Sequence, residues 1–211
     1  MKQILPVLAD IANGIFATLL AGWITNTEIF WWHFLVGVPL AMMPDLDAVP
    51  ELLRRGKVAA SSDYVYDHRE GLHYPAVLLL VGIVLAWLVG FFGWLFLIAT
   101  MLHFVNDSYG VGWGVAWLWP FSRTRYKCAD RKVNQPKRML VADGVWEKLS
   151  VDERRVRFIV SWSEEELPRF IMRWGRGDWI DKWYLTRNWV SVTEYLLFMC
   201  SLFILVAFLL R

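Results

Sequence analysis

The chain has 211 residues, 57% apolar and 20% charged, with a mean hydropathy of +0.38 and a formal charge of +2. This composition excludes intrinsic disorder, which needs low hydrophobicity and high net charge. Two cysteines 72 residues apart, Cys128 and Cys200, exclude a disulfide scaffold and match no zinc-knuckle spacing. The apolar residues fall in long blocks, and the 14 Trp, 13 Phe and 7 Tyr suit an aromatic belt at a membrane interface, so the composition indicates a membrane protein.

The first block, Ile4 to Ile24, is interrupted only by Asp10 and Asn13, which break the apolar core a cleavable signal peptide needs. It is expected to be a permanent helix. Ile29 to Met43 is a shorter block with Trp31 and Trp32 near its start. Pro75 to Val105 is too long for one straight crossing, which takes about 20 residues. Gly90-Phe91-Phe92-Gly93 at its middle predicts a hairpin of two short helices, 75–89 and 93–109, the alternative being one long tilted helix. Val190 to Leu210, broken only by Glu194, closes the chain. The predicted fold is an all-α integral membrane protein with about five transmembrane helices and a mixed, mostly helical insertion before the last.

Charge orients this arrangement. The connections after the first and third helices carry no Lys or Arg, whereas 45–73 carries Arg54, Arg55, Lys57 and Arg69, and 120–188 carries 16 basic against 10 acidic residues. By the positive-inside rule these two segments and the N-terminus face the cytoplasm. Three parts follow: a membrane-embedded part at 1–119, a basic Trp-rich segment at 120–188, and a last transmembrane helix at 189–211. Within 120–188, the capping-box patterns Ser150-x-x-Glu153 and Ser163-x-x-Glu166 predict helices near 151–161 and 164–174. Asp143-Gly144 predicts a β-hairpin turn. Trp162, Trp174, Trp179 and Trp183 among basic residues suggest a segment lying on the bilayer surface. A basic aromatic segment also suits nucleic acid, but no reading motif accompanies it, and no nucleic-acid partner is expected.

Three of the four histidines fall in one pattern. Asp45 and Asp47 stand in Pro44-Asp45-Leu46-Asp47, where the second helix ends. His68 and His73 precede the third helix, and His103 and Asp107 lie at the far end of the fourth. Threading the helices in, out, in, out brings all three segments to one cytoplasmic boundary. His103 and Asp107, four apart on a helix, share a face with Cβ atoms about 6 Å apart, suited to gripping one ion. Gly71 breaks the segment between His68 and His73, and Pro75 fits a first helical turn, so both imidazoles can turn inward. Three imidazoles and three carboxylates suit one or two ions of zinc, manganese or iron. Taken singly, each motif also reads as a turn or a hydrogen-bonded core pair; together at one membrane boundary they point to a metal site, because ionisable groups there are expensive. His33, about 18 Å along the helix from Asp45, is expected to be structural. Asp10 is either an extra ligand or an acceptor for a ligand histidine.

At these residues the chain resembles the YdjM-type family of membrane-bound, metal-dependent hydrolases, described as LexA-regulated in some bacteria. The family pattern is PDxD, HRxxxH, HxxxD on a later apolar helix, and an apolar stretch ending in Trp-Pro; here these read Pro44 to Asp47, His68 to His73, His103 to Asp107, and Trp117 to Ser122. The match covers about residues 1–125. The resemblance implies Asp45, Asp47, His68, His73, His103 and Asp107 as metal ligands, zinc foremost. A distant likeness to zinc-dependent phospholipase C implies a phosphoester as the bond cleaved. Family members often carry a first-helix histidine where this chain has Asp10, and flank the second histidine with Thr and Ser where this chain has Leu72 and Tyr74.

The expected function is therefore hydrolysis of an ester or phosphoester in a lipid or lipid-linked substrate at the cytoplasmic face of a prokaryotic inner membrane. Asp47 or Asp107 would accept a proton from water. Arg69 would either hold a phosphate or pair with Asp67 or Glu70. Asn106 and Ser108 would orient ligands. Two rivals stand beside this reading. An ion- or proton-coupled transporter would place its polar groups at the midplane on broken, repeated helices; a non-catalytic adaptor with a structural metal would use 120–188 to hold a partner.

Overall fold

The computed structural model describes residues 2–56, 58, 60–65 and 69–210 and is mostly helical, with one two-stranded sheet. A 3-10 turn (Lys2–Val7) leads into α1 (Leu8–Thr25), whose buried stripe is mostly small: Ala9, Ala12, Gly14, Ala17, Ala21 and Gly22. Small residues let membrane helices approach closely. The next helix, α2 (Trp31–Met42), exploits this: a Cβ on Gly14 would stand 2.5 Å from Val38 Cα, and one on Gly37 would stand 2.7 Å from the Gly14 carbonyl. His33 Nδ1 accepts from the Phe30 amide at 2.8 Å and fixes the start of α2, a structural role.

A 3-10 turn (Met43–Ala48) runs from α2 into the short α3 (Val49–Arg55). Then α4 (Pro75–Val89) and α5 (Phe91–Tyr109) form the hairpin predicted for the long apolar block. Gly90, at φ 56°, makes the reversal by itself, so α5 starts two residues earlier than the sequence suggests. Gly93 serves close packing instead, since a Cβ there would lie 2.1 Å from the Leu85 backbone.

Among the described residues, three helical stretches are long and apolar enough to cross a membrane: Ile4–Thr25, Phe91–Tyr109 and Trp189–Leu209, the last being α10. The other two apolar helices, α2 and α4, are shorter than a straight crossing needs. Trp23, Trp87, Phe203 and Leu210 are between 77% and 83% exposed, so the helices present hydrocarbon outward as a bilayer requires. Both α5 and α10 pack along α1, and α5 also packs on α2 and α4.

Between α5 and α10 the chain builds a small body of its own. β1 (Arg125–Asp130), α6 (Lys137–Ala142), α7 (Val151–Arg154), β2 (Arg157–Trp162), α8 (Leu167–Trp174) and α9 (Trp179–Trp183) follow in order. β1 and β2 pair antiparallel, Arg125 opposite Trp162 and Asp130 opposite Arg157. Three sequence expectations are corrected here. The 151–161 helix stops after one turn: Ser150 and Glu153 do form their capping box, but Phe158, Ile159 and Val160 suit a pleated strand, in which Ile159 pairs with Cys128 and Val160 with Lys127. Asp143-Gly144 links α6 to a 3-10 turn (Trp146–Lys148), so it is a turn but not a β-hairpin. Trp162, Trp174 and Trp183 are 0%, 8% and 4% exposed, so they are core and not a membrane-facing belt. Trp162 meets Trp113 edge-to-face with ring centroids 5.4 Å apart, and Val133, Leu140, Val160 and Ile171 pack around them. The 164–174 helix forms from Leu167, with the Ser163–Glu166 box at its entry.

Candidate metal centre

Four segments deliver polar side chains to one place. Near the start of α1, Asp10 is 4% exposed; near the end of α5, His103 and Asp107 are 2% and 7% exposed. The 3-10 turn after α2 supplies Asp45 and Asp47, and His73 (0% exposed) stands two residues before Pro75 opens α4. The short turn decides what its two carboxylates do. At about three residues per turn, positions two apart point in different directions. Asp45 accordingly reaches His73 Nε2, and Asp47 reaches the opposite ring nitrogen, Nδ1.

The two imidazoles face each other through Nε2, 3.5 Å apart. Asp45 Oδ1 lies 3.4 Å from His73 Nε2 and 3.7 Å from His103 Nε2. Asp107 Oδ2 lies 3.3 Å and 3.5 Å from the same two nitrogens. Donor atoms bonded to a tetrahedral zinc ion at about 2.0–2.2 Å stand about 3.3–3.6 Å apart, so each carboxylate oxygen completes a triangle of the right size with the imidazole pair. Asp45, His73 and His103 form a group that could hold a metal ion, their ligand atoms all within 4.8 Å of one another. Asp107 Oδ2 is buried with no hydrogen-bond partner among the described residues, as expected of an oxygen aimed at a cation.

Each ring nitrogen on the far side is occupied by a carboxylate. His73 Nδ1 is 2.8 Å from Asp47 Oδ2, and His103 Nδ1 is 2.8 Å from Asp10 Oδ1. Such a contact fixes the tautomer with the proton on Nδ1, which leaves the Nε2 lone pair for a metal and makes it more basic. Burial opposes a charge on His73, but the carboxylates of Asp107, Asp45 and Asp47 outweigh it and hold its pKa up at about 10. That balance describes a pocket with surplus negative charge, which a divalent cation offsets.

Arg69 enters this cluster from the loop before α4. It donates to Asp107 Oδ1 at 2.6 Å and to the Val111 carbonyl at 2.8 Å, partners the sequence reading did not name, while Asp67 lies outside the described residues. By holding Oδ1 it turns Oδ2 toward the imidazoles. The guanidinium lies on Gly112 (φ 116°), where a Cβ would stand 2.0 Å from Nη1. Beneath that loop is Lys127, 0% exposed, bound to Asp130 Oδ2 at 2.7 Å, Asn134 Oδ1 at 2.5 Å and the Gly112 carbonyl at 3.2 Å. Burial pulls its pKa down, with Asp130 opposing. The insertion thus supports the cluster through Lys127, Gly112 and Arg69.

The remaining candidates fall as follows. His68 and Asp67 lie outside the described residues. Ser108 donates to the Phe104 carbonyl and accepts from Trp117 Nε1, tying the Trp-Pro segment to α5. Asn106 Oδ1 is buried without a partner among the described residues. Gly112 was not singled out by motif; its signal is the glycine-rich Gly110 to Gly114 stretch directly after His103 to Asp107. Glu194, 1% exposed on α10, was visible as the one charge in the last apolar block; its carboxylate, after burial itself, raises the pKa of the Tyr184 phenol.

No curated protein and no solved structure matches the chain. A family described as YdjM inner membrane protein matches residues 8–164, a span that runs from α1 through β2 and contains every member of the cluster. The chain belongs to the YdjM inner membrane protein family.

Proposed function

We propose that this protein is a membrane-bound, metal-dependent hydrolase acting on an ester or phosphoester bond of a lipid or lipid-linked substrate. The observation that carries the reading is the paired imidazoles, each with Nε2 turned to the same point as a carboxylate oxygen and Nδ1 bound by a separate carboxylate. His73, His103, Asp45 and Asp107 would hold the ion, zinc foremost, with manganese or iron as the other metals this donor set suits. A divalent ion there supplies Lewis acidity, acidifying water and polarising an ester oxygen.

The chain's own groups do the rest. Asp10 and Asp47 keep the Nδ1 protons in place and so hold both rings in one orientation. Asp107 is committed through Oδ1 to Arg69 and turns Oδ2 toward the point the two imidazoles face, whereas Asp47 stands behind His73; of these two carboxylates Asp107 is the one within reach of a water there and is assigned to receive its proton. Arg69 acts as a positioning residue for Asp107. Asp45, with its side chain 44% exposed, marks the side from which substrate approaches. In the bilayer we assign α1, α2, α4, α5 and α10 as five membrane helices, with the cluster and the insertion at the cytoplasmic face, in keeping with the basic residues there.

The test is metal content of the purified protein beside a His103→Ala/Asp107→Ala variant. Stoichiometric zinc in the first and its loss in the second is the expected result; equal, negligible metal in both sinks the site. Turnover of phosphoester and lipid substrates in detergent, where no gradient exists, then separates a hydrolase from a transporter.

A further inference from the structure

Where α5 and α10 diverge along α1 they leave a groove of about 430 Å³, lined at bilayer depth by Phe16, Leu20, Leu102, Val105 and Leu197. Its other lining is polar and lies toward the metal-centre end of these helices. Asn13, one turn after Asp10, is 6% exposed, and its Nδ2 has no hydrogen-bond partner among the described residues. Asn106, next to Asp107, lines the same groove with its Oδ1 likewise buried and unpartnered among them. From Asn13 to Leu20 the helix advances about 10 Å with nothing but hydrocarbon to offer.

We propose that this groove seats one acyl chain of a membrane phospholipid, with the chain's ester carbonyl accepting from Asn13 Nδ2 and a water at the ester donating to Asn106 Oδ1. A buried amide donor and a buried amide acceptor in hydrocarbon each require a partner. An acyl ester brings an acceptor at one end of an otherwise apolar rod, and a water beside it brings the donor. The polarity of the groove therefore runs in the same sense as that of a phospholipid. A transmembrane helix of a second copy would cover the apolar half, but its backbone groups are already bonded to each other, so it answers the asparagines only where a polar side chain falls opposite them. As a route for substrate, this seat rests on the hydrolase reading: it would bring a lipid from within the leaflet, ester end toward Asp107. As a binding site it stands alone.

The experiment uses the full chain in vesicles of phosphatidylethanolamine and phosphatidylglycerol, doped with a phosphatidylethanolamine carrying a photoactivatable diazirine in one acyl chain. Adducts mapped after illumination are expected to concentrate on Phe16, Leu20, Leu102 and Leu197 over the equally apolar outer positions Trp87 and Phe203. Leu102→Trp, which fills the groove, should cut those adducts several-fold without changing zinc content or labelling at Trp87. Asn13→Leu/Asn106→Leu should cut them too, because the ester loses its partners. Labelling spread evenly over all lipid-facing positions, or unmoved by Leu102→Trp, overturns the proposal, as does crosslinking of single cysteines at Leu20 between two copies. Zinc-dependent release of product from the vesicles is scored separately. Focused labelling without hydrolysis keeps the lipid seat and removes the enzyme; hydrolysis with even labelling does the reverse.

Discussion

The membrane part and the insertion treat charge in opposite ways. Residues 120–188 carry a balance of +6, leaving −4 for the rest of the chain. In the insertion, charge is answered locally: Lys132 with Glu166, Arg157 with Asp152, Arg123 with Glu164 at 2.8 Å and Arg173 with Glu153 at 3.2 Å. Its fold rests on a tryptophan core, and such largely surface pairs contribute little. In the membrane part, polar groups are few and several share one cluster, where Asp10, Asp45, Asp47 and Asp107 surround two imidazoles and Arg69. There most of the charges are shut off from water, Asp45 excepted, and they answer one another within the cluster. The comparison separates a body that folds for its own stability from one that folds around a site.

The largest effect that would sharpen this contrast lies in the insertion core. Trp162→Ala should cost about 3–5 kcal/mol, the usual range for a buried tryptophan. Thermal unfolding should register that loss while the helices still bind zinc. Loss of zinc together with the insertion would break the contrast and make the two parts one cooperative unit. On the membrane side, Asp10→Asn and Asp47→Asn should each weaken zinc affinity by about 10–100-fold, as replacing the partner of a ligand histidine does. Competition against a chelating dye reads this directly, and unchanged affinity would show that the Nδ1 contacts position nothing.

Next in size is pH. His73 has its pKa raised to about 10, so its protonated form stabilises the fold below the ordinary value near 6.5, and that contribution is lost as pH rises through about 10. Zinc competes for the same nitrogen. Its affinity should therefore rise with pH by about tenfold per unit through the neutral range if one proton is displaced. A flat profile would remove His73 from the ligand set. Gly112→Ala tests the link between the two parts, since a methyl there must displace the Arg69 guanidinium; a fall of about tenfold in zinc affinity is expected, with little change in insertion stability. The smallest effect is Ser150→Ala, about 1 kcal/mol from loss of the α7 cap and none on metal content.

Much of the membrane part is legible in sequence because a bilayer leaves few options. An apolar run must be helical, a glycine in its middle marks a reversal, and positions four apart share a face, which is how His103 and Asp107 were paired. The insertion is less legible for a physical reason: Val151 to Trp162 carries a helix start that is satisfied and then overridden by strand pairing twenty-five or more residues away. Tryptophans among arginines look the same in a core as at an interface, and only packing tells them apart.

By itself the sequence determined that this is a membrane protein, which runs are helical, and which three polar motifs meet, because hydrophobicity and helical period act locally along the chain. Tertiary structure alone decided which atom of each residue does what. Asp45 and Asp47 differ by two positions in one motif, yet a 3-10 turn sends them to opposite nitrogens of His73. Asp10 finds His103 across 93 residues, and Arg69 finds Asp107 across 38. Hydrogen bonds act over about 3 Å and coordination over about 2 Å. Contacts that short depend on how helices pack, which spacing along a chain does not encode.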